Sequence, residues 1–128
     1  MTTAQINLMN IETYNISYFK AVALSGILDE SVLPQLRELC LNMLRADGKD
    51  FILDMSGVIK VSRKVLDLFS DVAKKLVILE GRLLIMNMNP HVFDKMRSVL
   101  ELDRNLDYFA NEMEATRYIE GTRQYYCF

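Results

Sequence analysis

Between Val32 and Leu100 the chain repeatedly changes its apolar period, and this alternation limits the fold more than any other feature. Val32, Leu33, Leu36, Leu39, Cys40, Met43 and Leu44 recur at three and four residues, which forms one stripe of an amphipathic helix. Phe51-Ile52-Leu53 follows as a short unbroken apolar run, the pattern of a strand at the centre of a sheet. Val65, Leu66, Phe69, Val72, Ala73 and Leu76 restore the helical period on one buried side. Leu83-Leu84-Ile85-Met86 is a second apolar strand, and Val92, Phe93, Met96 and Leu100 turn a third helix inward. A strand that passes through a helix to the next strand acquires a parallel neighbour through a right-handed crossover.

The flanks complete the order. Ile6, Leu8 and Ile11, then Tyr18, Phe19, Val22 and Leu24, predict two strands, the second ending at Ser25-Gly26. Ser31 is read as the N-cap of the first helix, with Pro34 in its first turn where a missing N–H costs little. Asp47-Gly48 and Glu80-Gly81 end the first two helices, and Asn89-Pro90 opens the third. A last strand is expected at Leu106 to Ala110. The final helix starts at Asn111, with Glu114 three residues on as in a capping box. The predicted class is α/β, a mixed sheet of about five strands with about four helices in the order β-β-α-β-α-β-α-β-α. It forms a single domain over 1–128, with a core at about 6–120 and an apolar tail at 121–128 that ends in Tyr125-Tyr126-Cys127-Phe128 and docks on the body or on a partner.

Composition excludes several functions. With 15 Lys and Arg against 17 Asp and Glu the net charge is only -2, so no field selects nucleic acid or an anionic membrane. The longest apolar runs, Leu76 to Leu79 and Leu83 to Met86, fall far short of the roughly 20 residues a membrane helix needs. The start of the chain lacks the pattern of a secretory signal, and a cytoplasmic protein is expected. Cys40 and Cys127 make neither a disulfide framework nor a metal motif. One histidine, His91, and two distant cysteines cannot build a zinc site, and no phosphate-cradling glycine motif occurs. No metal or cofactor is expected.

Several short segments carry a family resemblance through their order and spacing. Ser25-Gly26-Ile27-Leu28-Asp29 resembles the S/T-G-x-L-D signature of STAS domains, the anti-sigma factor antagonist family. Phe51 to Met55 followed by Ser56-Gly57-Val58-Ile59 resembles the next block. Gly81 to Met86 with the Asn89-Pro90 helix start resembles the following strand and third helix. The likeness spans roughly Leu8 to Ile119. It implies a STAS-like fold and a non-enzymatic regulatory role, with the chain binding a protein partner such as a kinase-like anti-sigma factor or a regulatory subunit.

In that family the segment before the second helix reads D-S-S/T-G-L, and its second hydroxyl residue accepts phosphate. With Leu66 in register, this chain offers Ser62-Arg63-Lys64-Val65-Leu66, so Lys64 stands at the acceptor position. The resemblance therefore implies the binding surface without the phosphorylation; a shift of one or two residues would make Ser62 the acceptor. The expected partner surface comprises Asp29, Ser62, Arg63, Lys64, Asp67 and Met88.

Arg63 and Lys64 also lie in a first helical turn, where the helix dipole disfavours cations by up to about 1 kcal/mol each. Compensation is expected from Asp29 or from a bound anion, which gives the alternative reading of a module that senses an anion or lipid head group, or serves transport. Two solvated side chains are the plainer account. An enzyme using His91 with Asp94 is the third reading, against the expectation that His91 simply faces solvent. The methionines are read as core filling, with Met88 the exception as a contact residue. A homo-oligomer is compatible with all of these.

Overall fold

The computed structural model describes residues 9–102 and 105–126, without the side chains of 101, 102 and 122–126. The expectations for Ile6 and Leu8, for Cys127 and for the closing Tyr125 to Phe128 side chains fall outside that range. The strands are β1 (Asn10–Ile16), β2 (Phe19–Leu28), β3 (Asp50–Val61), β4 (Arg82–Met86) and β5 (Leu106–Phe109). The helices are α1 (Leu33–Arg45), α2 (Arg63–Ile78), α3 (Pro90–Leu102) and α4 (Glu112–Tyr126). The strands form one sheet in sequence order, with β1 antiparallel to β2 and every later pair parallel.

Alternation along each strand separates two cores. Val22, Leu24, Phe51, Leu53, Leu83 and Ile85 face one side and pack with α1, α2 and α3. Ala21, Ile52, Leu84 and Met86 face the other and pack with Ala115 and Ile119 of α4. The expected buried stripe of α2 is observed in full, and Cys40 lies in the same core, where burial pushes its thiol up to about 11. Phe93, expected inward, is only half-buried.

Two strands are longer than their apolar runs. β2 continues past Ser25-Gly26 to Leu28 because Gly26, at φ 103°, makes an irregularity in the strand rather than a turn. β3 continues past Met55 to Val61, still paired with β2 from Ser25↔Gly57 to Leu28↔Val61. Register shifts within this stretch break the two-residue period, so only Val58 and Val61 among its last residues are buried. Gly57 suits the close approach, since a Cβ there would lie 2.6 Å from the Cβ of Ser25.

The caps also differ in part. Ser31 does not cap α1. A 3₁₀ turn, Glu30–Val32, comes first and is capped by Asp29, leaving Val32 at the start of α1 with no side-chain cap. Asn89 and Asn111 cap their helices as expected, Ser62 caps α2, and α4 stays helical across residues 121–126. Gly81 has a steric role: a Cβ would sit 2.1 Å from the carbonyl oxygen of Lys49, which accepts the Arg82 N–H at 3.0 Å.

Candidate partner-binding site

The carboxyl ends of β2 and β3 are tied together where the Ser62 N–H donates to the Leu28 carbonyl at 2.8 Å. That bond brings Asp29 and Ser62, distant in sequence, to one corner of the sheet. No loop separates β3 from α2, because Ser62 alone joins them and its Oγ accepts from the Val65 N–H at 3.4 Å. Its hydroxyl is thus directed at the helix end.

The two cations that follow are matched by carboxylates. Arg63 Nε lies 3.2 Å from Asp67 Oδ1 one turn along the helix, and Lys64 Nζ lies 3.4 Å from Glu30 Oε1 on the 3₁₀ turn. The acid that meets Lys64 is therefore Glu30, the neighbour of Asp29. Asp29 Oδ1 instead accepts from the Ser31 N–H at 2.9 Å and from the Ser31 hydroxyl. Both ion pairs are largely exposed, so they orient side chains more than they stabilise the fold. Glu30 was not singled out by sequence because its role depends on the 3₁₀ turn.

Beside this corner is an open cleft of about 360 Å³, lined by Asp29, Ser62, Lys60, His91 and Lys95 among others. The cations facing it are Lys60 and Lys95 rather than Arg63 and Lys64. His91 is exposed, as expected, and from the first turn of α3 it lines the same cleft as Ser62; Asp94 is exposed on the same turn.

Met88 belongs to a different wall. The turn between β4 and α3 is held at both ends, and Met88 lies between the clamps. Asn87, at φ 63°, donates from Nδ2 to Asp54 Oδ1 at 3.0 Å. Asn89 donates to the Val58 carbonyl at 2.9 Å and accepts the Val92 N–H at 2.8 Å. Half-buried Met88 lines a second cavity of about 450 Å³ between α3 and β5, separate from the Ser62 cleft.

Asp54 is the buried charge of the molecule among the described residues, at 8% exposure. Burial alone pushes its carboxyl up, but bonds donated by Asn87, Tyr14 (2.7 Å) and the Ser56 N–H (3.0 Å) outweigh this and hold it below the usual carboxylate range. Burial and the bond to Asp54 push the Tyr14 phenol well above its ordinary value. The sequence signal for this network was a lone aspartate inside an apolar run.

Chemically, the corner offers paired charges, a helix-capping hydroxyl and an exposed imidazole, an arrangement suited to surface recognition. Among the described residues no group of three or more His, Cys, Asp or Glu side chains is placed to hold a metal ion. No helix among them is long and apolar enough to cross a membrane.

Comparison with known proteins places this geometry. Residues 10–115 match the family described as STAS domain. An anti-sigma factor antagonist from Mycobacterium paratuberculosis superposes with TM-score 0.73 at 16% identity, covering 91% of this chain and 99% of that one. The anti-sigma factor antagonist SpoIIAA in its unphosphorylated form gives TM-score 0.67 at 19% identity, over 89% of this chain and 99% of that one. The Bacillus cell fate determinant SpoIIAA in its phosphorylated form gives 0.64 at 16% identity, over 87% and 99%. No curated protein sequence matches significantly.

Proposed function

This chain belongs to the STAS domain family, and we propose that it is a non-enzymatic regulatory module that works by binding a protein partner, as its anti-sigma factor antagonist neighbours are named for doing. The partner is a kinase-like anti-sigma factor or a comparable regulatory subunit. It is met by the corner that carries Asp29, Glu30, Ser62, Arg63, Lys64 and Asp67. Binding there changes what else the partner can engage, by burying a surface that the partner shares among ligands.

One observation carries the reading: Lys64, at the family acceptor position, is exposed on the first turn of α2 and ion-paired to Glu30. An ammonium cannot accept phosphate as the family hydroxyl does. Nearby Ser62 spends its hydroxyl as the helix cap. The corner is therefore a recognition surface that is not switched at the usual position.

Co-purification from the native cell identifies the partner, and calorimetry then measures its affinity. Lys64→Glu reverses the charge at the centre of the surface and weakens that affinity by about tenfold or more, as expected for a charge inside an interface. Incubation with the partner and ATP followed by mass spectrometry leaves Ser62 unmodified; stoichiometric phosphate on Ser62 overturns the unswitched reading.

A second reading, recognition of a small anion, draws on the Lys60, His91 and Lys95 side chains around the Ser62 cleft. Inorganic phosphate that raises the melting temperature in the wild type but not in Lys95→Ala would favour it.

A further inference from the structure

The sheet has one place where neighbouring parallel strands send their chains to opposite faces. α1, α2 and α3, which follow β2, β3 and β4, all pack on one face, whereas α4, which follows β5, packs on the other. The carboxyl ends of β4 and β5 therefore flank a crevice, the position at which open α/β sheets most readily hold ligands. The cavity of about 450 Å³ lies there, a volume within the range of small-molecule sites.

Its walls come from both connections. Met88, Pro90 and Phe93 line it from the β4-to-α3 side, and Tyr108, Phe109 and Glu114 from β5 and α4. Phe93 and Tyr108 are a tilted aromatic pair with centroids 5.3 Å apart, and Phe109 packs at 5.1 Å against Tyr118. Among the described residues the lining is mainly apolar and aromatic, with one carboxylate and no Lys, Arg or His.

The first turn of α4 is acidic, and one of its donors, the Glu114 N–H, is already taken. Asn111 Oδ1 takes the Glu114 N–H at 3.0 Å, and Glu114 Oε2 takes the Ala110 N–H at 3.0 Å. Glu112 adds a second carboxylate to the same turn. The two carboxylates of this turn outweigh the roughly half positive charge of the helix end, so a cation is favoured by them and by the faces of the rings.

We propose that this crevice is a binding site for a small organic cation with an aromatic or alkyl body, such as a protonated aromatic amine, its charge at Glu114 and its body between Phe93 and Phe109. The proposal is independent of the protein-partner reading.

The test titrates the folded chain with phenethylammonium and, separately, with phenylpropionate, a similar body of opposite charge, following backbone amide resonances by NMR. The cation produces saturable shifts at Met88, Phe93 and Ala110, and the anion binds about tenfold more weakly or worse, the worth of one partly screened charge contact. Glu114→Gln keeps an acceptor for the Ala110 N–H and removes the discrimination between the two probes, while Phe93→Ala weakens the cation. Absence of saturation in the wild type, equal binding of the anion, shifts confined to the Lys60 and His91 cleft, or discrimination that survives Glu114→Gln would each overturn the site.

Discussion

The two faces of the sheet are built on different terms. Three helices cover one face with a continuous apolar core in which Phe69, Leu36 and Leu76 are almost wholly buried. Among the described residues only α4 covers the other, and there a small apolar cluster adjoins the charged network of Asp54, Tyr14 and Asn87. The first face derives its stability from burial, which is insensitive to pH. The second combines less burial with hydrogen bonds to a carboxylate, so it should respond to acid.

Matched truncations test the contrast most severely. Phe69→Ala on the three-helix face is expected to cost about 3–5 kcal/mol, and Ile119→Ala on α4 about 2 kcal/mol, toward the low end for an apolar truncation. Urea unfolding measures both. Equal losses would mean that α4 is as deeply integrated as the other helices.

Tyr14→Phe removes one donor from a buried carboxylate and should cost about 1–3 kcal/mol at neutral pH. The same change raises the Asp54 pKa in the folded state. A carboxyl whose folded pKa lies below its unfolded value of about 3.9 stabilises the protein above that value, and the contribution is lost as pH falls through the folded pKa. The wild type should therefore lose stability on acidification below the ordinary carboxylate range, and Tyr14→Phe should begin to lose it at higher pH. Asp54→Asn, lower in stability at neutral pH, should have a flatter dependence in that window. A slope unchanged by Asp54→Asn would place the acid response elsewhere.

The smallest effect is expected at the proposed partner surface. Lys64→Ala breaks an exposed pair to Glu30 and should alter stability by no more than about 0.5 kcal/mol. A much larger loss would show that the pair serves the fold, which would weaken its assignment to recognition.

Legibility in the sequence followed the same division. The stripe from Val65 to Leu76 and the runs around Phe51 and Leu83 revealed the three-helix face, because burial leaves a period in the chain. The caps Asn89 and Asn111 were legible because their chemistry is local. Ser31 misled for the opposite reason: the hydroxyl sits one residue inside a 3₁₀ turn that Asp29 caps, and residue type alone does not distinguish the two. The extensions of β2 to Leu28 and β3 to Val61 were hidden by register shifts.

The sequence by itself determined the order of elements and the buried side of each helix facing the larger core. These are properties of residues close in the chain, or of spacing along it. Tertiary structure alone decided that Glu30 meets Lys64, that His91 and Ser62 line one cleft, that Asn87 and Tyr14 converge on Asp54, and that Met88 turns to a separate cavity beside Glu114. Each of those relations joins segments from different elements. Their distance depends on how the strands align and which face each helix takes, and neither is set by any local pattern.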